Sequence, residues 1–404
     1  MDAIRNPFAP GAGTQPPELT GRDQLLEQGR VAVARGLAGR AAKSFIAVGL
    51  RGVGKTVLLN RLVETARAVG SRTCFIEVRE DRPFTVLLAA QLRAIVLELD
   101  RMGAVNEGAK RAVRVLRSFL GAISVKLGEL EVGLSVSPEE GTADSGQLDV
   151  DLPLLFQAIG EAARARGTGL TLFIDELQYL SRDELSALIM AIHRTAQLGL
   201  PIVLIGAGLP QIVGLSGESK SYAERLFDFP PLGPLSRADA IRALAGPAAA
   251  EGVVFAAEAL DEIVRVTLGY PYFLQEWGYE IWNMAARSPI TQEDAVAAGP
   301  AVLRKLDSGF FRVRYDRMTP SERGYLRAMA QLGPGPHRSG DIADLLGMKV
   351  TSVGPLRSRL IRKGMVYAPA HGDTAFTVPL FDQFMQRQMP HWTAEPGGQR
   401  EEDA

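Results

Sequence analysis

Phe45-Ile46-Ala47-Val48-Gly49-Leu50-Arg51-Gly52-Val53-Gly54-Lys55-Thr56-Val57-Leu58-Leu59 is the stretch whose reading decides the fold. An apolar run enters a glycine-rich segment, and an apolar helical period begins directly after it, so the order is strand, turn, amphipathic helix. Glycines let the backbone curl until several N–H groups point inward at a polyphosphate. The helix that opens near Lys55 adds the positive end of its dipole. In that setting Lys55 reaches the β- and γ-phosphates and the Thr56 hydroxyl holds Mg²⁺. The binding set is Gly49, Arg51, Gly52, Val53, Gly54, Lys55, Thr56 and Val57. A glycine-rich turn that matches by accident is the alternative, and the strand-to-helix setting argues against it.

Outward from the loop, strand and helix alternate. A helix is expected over residues 56–69, a strand over 73–78 and helical patterning over 84–100. Further strands follow at 170–175, 201–206 and 226–229, with helices at 149–166 and 183–198. This alternation predicts a parallel α/β sheet flanked by helices. Residues 101–148 read as an insertion: a basic amphipathic helix near 104–120, an alternating run at 123–136 expected as a two-stranded ribbon, and a mobile polar segment to 147. The cations of the basic helix, Lys110, Arg111, Arg114 and Arg117, fit a solvated face better than a ligand surface.

The second phosphate-site element is Leu172-Phe173-Ile174-Asp175-Glu176. An acid at the C-terminal edge of a buried strand lies beside the phosphate loop, because open α/β sheets bind ligands at those edges. Asp175 then serves the metal, directly or through its water, and Glu176 orients and deprotonates an attacking water. An acidic pair that merely caps the next helix is the other reading. No asparagine precedes a lysine, so the Asn-Lys-x-Asp guanine reader is missing and ATP is preferred over GTP.

From residue 236 the strand pattern stops. The expected organisation is a flexible arm at 1–19, an α/β nucleotide domain at 20–235, a helical lid at 236–310, a winged helix-turn-helix at 311–390 and a disordered tail at 391–404. Lys plus Arg (45) nearly balances Asp plus Glu (46), so no global field draws the chain to nucleic acid or an anionic membrane. One cysteine and four scattered histidines exclude an internal disulfide and give no zinc-type spacing. The start lacks a signal-peptide pattern and no apolar run approaches membrane-spanning length, so a cytoplasmic protein is expected.

With Gly21-Arg22-Asp23, the phosphate loop, Asp175-Glu176, a helical segment and three helices with a hairpin in order, residues 20–385 resemble the AAA+ ATPases of the origin-recognition-like and STAND (signal-transduction ATPases with numerous domains) branch. The resemblance implies a P-loop NTPase fold with Gly21 and Arg22 near the adenine, Arg225 aimed at a γ-phosphate, often a neighbouring subunit's, and Pro271 of Gly269-Tyr270-Pro271 facing the nucleotide. A surface arginine paired with Glu224 or Asp228, and a helix-starting proline, are the plain alternatives. Two departures stand out. The strand end Gly206-Ala207-Gly208 has no polar sensor, and the glycine-x-proline turn has no arginine. Both favour slow turnover and a nucleotide-dependent switch. At the C-terminus Lys349, Arg357, Arg359, Arg362 and Lys363 carry no intervening acid, which suits DNA phosphates. Hence the alternative is a DNA-binding regulatory or initiator-like protein with ATP as a regulatory or structural ligand. A protein partner or self-association is the third reading.

Overall fold

The computed structural model describes every residue except 12–15, 17, 18, 103–105, 128–135, 222 and 394–404. The chain folds as two compact units: one comprises Arg22–Gly49 and Lys55–Leu232, the other Met1–Gly21, Leu50–Gly54 and Gly233–Ala404.

The first unit is built on a parallel sheet of five strands, β1 (Ser44–Val48), β2 (Ser71–Glu77), β3 (Gly169–Asp175), β4 (Ile202–Gly208) and β5 (Phe227–Asp228). Their order is β2-β3-β4-β1-β5. Every residue of β3 and β4 is buried. That is why both read as unbroken apolar runs, since a parallel sheet is covered by helices on its two faces. Pairing of Ala47 with Ala207 and of Ile174 with Gly206 brings the C-terminal ends of β1, β3 and β4 to one edge. Gly206 is required there: a Cβ would lie 2.3 Å from Leu177 Cδ1.

Helices Lys55–Ala68, Phe84–Arg101, Glu107–Leu127, Leu148–Ala165 and Arg182–Gln197 supply the rest of the core. In Phe84–Arg101 the buried positions Phe84, Leu88, Leu92, Ile95, Val96 and Leu99 repeat at three or four residues, the stripe of an amphipathic helix. Truncating one such leucine to alanine costs about 2–5 kcal/mol. Helix Arg182–Gln197 opens with a reciprocal cap: Glu184 N–H donates to Ser181 Oγ (3.2 Å), and Ser181 N–H to Glu184 Oε2 (3.0 Å). Glu184 Oε1 also accepts from Phe84 N–H (2.9 Å), tying two helix starts together.

The expected ribbon is corrected in its first part. Helix Glu107–Leu127 runs through residues 123–127, and the remaining positions 128–135 lie outside the described residues. Ala112, Val113, Val115, Leu116, Phe119, Leu120 and Ile123 are all buried in the core, so a helical stripe already committed to packing overrides the short alternation that follows it. The basic face is paired: Glu139 bridges Arg111 (3.2 Å) and Arg114 (2.8 Å). These bonds hold part of the polar segment expected to be mobile.

In the second unit, helices Arg237–Ala250, Ala257–Thr267, Pro271–Met284 and Gln292–Lys305 come first. The arm expected to be flexible is docked on them over its first nine residues. The Met1 ammonium donates to Ala285 O (2.8 Å), Trp282 Nε1 donates to Asp2 O (2.8 Å), and Phe8 is 2% exposed. The physical reason is Gly278, which leaves room for the Phe8 ring where a Cβ would meet it at 2.6 Å. Burying one phenylalanine is worth about 2 kcal/mol, enough to hold a short segment. Further on stand helices Pro320–Leu332, Ser339–Leu345, Val350–Arg362 and Phe381–Gln388. With them is an antiparallel sheet of β6 (His337–Arg338), β7 (Val366–Tyr367) and β8 (Asp373–Phe376) in the order β6-β8-β7. Among the described residues no helix is long and apolar enough to cross a membrane.

Candidate functional site

In the first unit Lys55 and Thr56 form the opening turn of helix Lys55–Ala68, behind β1. Lys55 is 5% exposed. The Thr56 hydroxyl donates to Asp175 Oδ2 at 2.5 Å, across the edge formed by the ends of β1 and β3. Asp175 is 1% exposed, and its Oδ1 accepts from the N–H of Glu176 (2.8 Å). Burial pushes the Asp175 carboxyl above the usual range; the Thr56 hydrogen bond and the Lys55 charge pull against that, while the Glu176 charge adds to it. The carboxylate is thus held close to ionisable partners without being fully compensated.

Glu176 takes a left-handed backbone (φ 55°, ψ 39°), which costs a non-glycine residue about 1–2 kcal/mol. This turn ends β3 and swings Glu176 out of the strand line while Leu177 enters the core. The Glu176 carboxylate accepts from Gln178 Nε2, and Gln178 Oε1 accepts from the Leu209 N–H at 3.0 Å. Gln178 was missed in the sequence reading. Its signal was a polar residue two positions beyond the acid in an otherwise apolar turn.

Other expected residues of this unit fall elsewhere. Arg22 is 8% exposed and precedes helix Asp23–Leu37. Arg225 lies exposed on the short helix Ala223–Leu226, with no ion pair among the described residues, while Asp228 pairs with Lys43 (2.6 Å). Gly49 N–H donates to Gly208 O (3.1 Å), joining the loop entrance to β4. Val57 is half-buried on the first turn of its helix.

In the second unit the loop residues Gly52 (φ 81°) and Gly54 (φ 92°) adopt the left-handed backbone that glycine alone takes freely. A Cβ on Gly52 would lie 3.0 Å from Tyr270 Cε1. Arg51 N–H donates to Thr377 O (3.4 Å) and Arg51 Nε to Gly364 O (3.2 Å), while its own carbonyl accepts from the Tyr270 hydroxyl. Val53 is 1% exposed. Pro271 starts helix Pro271–Met284, and Tyr272 N–H donates to Gly52 O (3.3 Å). Burial raises the Tyr270 hydroxyl and lowers Arg314 to about 10, with the Arg51 charge also acting on Arg314. Gly21 (φ 67°) lies against Asp239, whose carbonyl accepts from the Thr20 hydroxyl (3.0 Å).

The basic run of the C-terminal region is largely engaged within its own unit. Arg357 Nε donates to Thr374 Oγ1 (2.8 Å) and its Nη2 to Asp373 O (2.7 Å). Lys363 pairs with Glu322 at 2.7 Å, and Arg359 approaches the same carboxylate at 3.6 Å. Lys349 and Arg362 are exposed.

A parallel sheet ordered β2-β3-β4-β1-β5, a glycine loop after β1 and an acid at the end of β3 define the P-loop AAA+ fold. Residues 18–205 match the AAA ATPase domain family, and residues 308–385 match a domain of unknown function, DUF8462. No curated protein matches the chain. Among solved structures it is similar to the Walker-type ATPase PABY2304 of Pyrococcus abyssi, with 16% identity, 92% of this chain and 97% of that one covered, and a TM-score of 0.60. It is also similar to the ORC1 protein of Aeropyrum pernix in complex with DNA, at 15% identity, 96% coverage of each chain and a TM-score of 0.48. For Cdc6p of Pyrobaculum aerophilum the values are 18% identity, 96% and 98% coverage, and 0.45. At 16% identity the likeness to the Pyrococcus abyssi protein is one of fold.

Proposed function

We propose that the chain binds Mg²⁺-ATP and hydrolyses it slowly, as a nucleotide-dependent conformational switch. The observation that carries this reading is the Thr56–Asp175 hydrogen bond beside buried Lys55 at the sheet edge. A hydroxyl and a carboxylate are the hard oxygen donors that suit Mg²⁺. The incomplete compensation of Asp175 supports a role for it toward a cation, which when bound neutralises charge on the β- and γ-phosphates. Lys55 holds the polyphosphate.

Glu176 takes the proton of the attacking water as the water oxygen bonds to the γ-phosphorus. The bond from that phosphorus to the β,γ-bridging oxygen breaks, giving ADP and phosphate. Slow turnover is supported by β4, whose end Gly206-Ala207-Gly208 offers no side-chain hydrogen-bonding group. We read residues 236–310 as a helical lid and 311–390 as a winged helix-turn-helix. The internal bonds of Arg357 and Lys363 favour a packing role for helix Val350–Arg362 over DNA reading.

Calorimetry and turnover test this together. Lys55→Ala is expected to weaken ATP binding by about 100-fold or more, the scale of a lost charge-assisted phosphate contact. Glu176→Gln is expected to keep ATP affinity within about 2-fold while turnover falls by about 100-fold. Retained ATP affinity in Lys55→Ala would sink the proposal.

A further inference from the structure

The turn after β3 holds a polar side chain with two fixed partners. Gln178 is 9% exposed, yet both ends of its amide are used: Oε1 accepts from Leu209 N–H (3.0 Å) and Nε2 donates to the Glu176 carboxylate. The orientation follows from chemistry. A backbone N–H can only donate, so the Leu209 N–H must face the amide oxygen. The amide NH₂ is thereby turned to Glu176, whose carboxylate accepts from it. Gly208 makes room for the arrangement, since a Cβ would come within 3.1 Å of Gln178 Oε1. The left-handed backbone at Glu176 further restricts where its side chain can go.

We infer that Gln178 is the positioning residue of this site: it aims the Glu176 carboxylate and ties it to the backbone at the end of β4. The inference rests on the reading of Glu176 as the proton acceptor. It also gives the bare end of β4 a polar connection, because the amide of a neighbouring turn reaches the main chain where no β4 side chain can. Gln178 touches neither water nor phosphate in this role; it acts through Glu176.

Two substitutions separate positioning from packing. Gln178→Glu keeps the acceptor for Leu209 N–H, removes the donor facing Glu176 and adds a like charge. Gln178→Met keeps the volume and removes both bonds. With ATP affinity followed by calorimetry and folding by thermal unfolding, both variants are expected to lower kcat about 10-fold or more at near-constant affinity. Turnover within 2-fold of wild type in both variants, beside a large loss in Glu176→Gln, would overturn the inference and leave the ATPase reading standing. Losses of affinity and thermal stability in parallel with the fall in kcat would overturn it as well. Unchanged turnover in Glu176→Gln would remove the base reading, and the inference with it.

Discussion

Asp175 and Glu322 are both buried carboxylates, one in each unit, and they are kept in opposite conditions. Glu322, 0% exposed, opens helix Pro320–Leu332 in a reciprocal cap with Thr319, and Lys363 stands 2.7 Å from it. Burial alone would raise its pKa, but the Lys363 hydrogen bond, the Thr319 N–H and the Lys363 charge bring it below the usual range. Asp175 has a hydroxyl, one backbone N–H, a nearby lysine and an adjacent glutamate, and its carboxyl stays above the usual range. The difference lies in charge: a cation bonds Glu322, whereas both oxygens of Asp175 accept from neutral donors and a like charge stands beside it.

The sharpest way to break this contrast is Asp175→Asn. If Asp175 is reserved for a metal, turnover should fall by about 100-fold while the nucleotide-free protein becomes more stable by about 1 kcal/mol, as an under-compensated buried charge is removed. Enzyme assay and thermal unfolding report the two effects, and a loss of both activity and stability would make Asp175 a scaffold residue like Glu322. Next in size, Glu322→Ala should cost about 2–3 kcal/mol in urea unfolding, from the lost cap and the lost charged hydrogen bond. Glu322→Gln should cost less, because its amide oxygen still accepts the Thr319 N–H.

Acid sharpens the contrast without mutation. The folded value of Asp175 is raised, so its contribution favours the folded state below the ordinary aspartate range and is withdrawn as pH rises through the raised value. Glu322 has a lowered folded value, so its contribution is present above the ordinary glutamate range and is lost as pH falls through that lowered value. Mg²⁺-dependent ATP affinity, followed by calorimetry, should decline as acid protonates Asp175 through its raised value, and the stability supplied by Glu322 should be lost as pH falls through its lowered one. The smallest effect concerns Cys74, buried in β2 with its thiol pushed up to about 12 by burial. Thiol reagents at neutral pH should leave native protein unlabelled and react on unfolding, which gives an independent count of the unfolded fraction in each variant.

Much of the first unit was legible along the chain. Strands buried on both faces have no choice but to be apolar throughout, so β1, β3 and β4 stood out, and Lys55, Thr56 and Asp175 were marked by their positions at strand ends. Helices expected near 319–332, 339–346 and 351–363 stand at Pro320–Leu332, Ser339–Leu345 and Val350–Arg362. Residues 123–127 were not legible as helix, because a short alternation carries less weight than the packed stripe before it. Nor was the docking of Phe8, which depends on the missing side chain of Gly278, 270 positions away.

The sequence by itself determined the phosphate loop, the acid pair after β3 and the parallel sheet that carries them, because local chemistry and short-range periodicity dictate each. Only the tertiary structure decided what surrounds those groups: Gln178 bonded to both Glu176 and Leu209, Arg51 engaged by Tyr270, Gly364 and Thr377, and Arg357 and Lys363 of the C-terminal basic run spent on Thr374, Asp373 and Glu322. Such pairings join residues far apart in sequence, and a hydrogen bond or ion pair depends on separation in space, which no local pattern encodes.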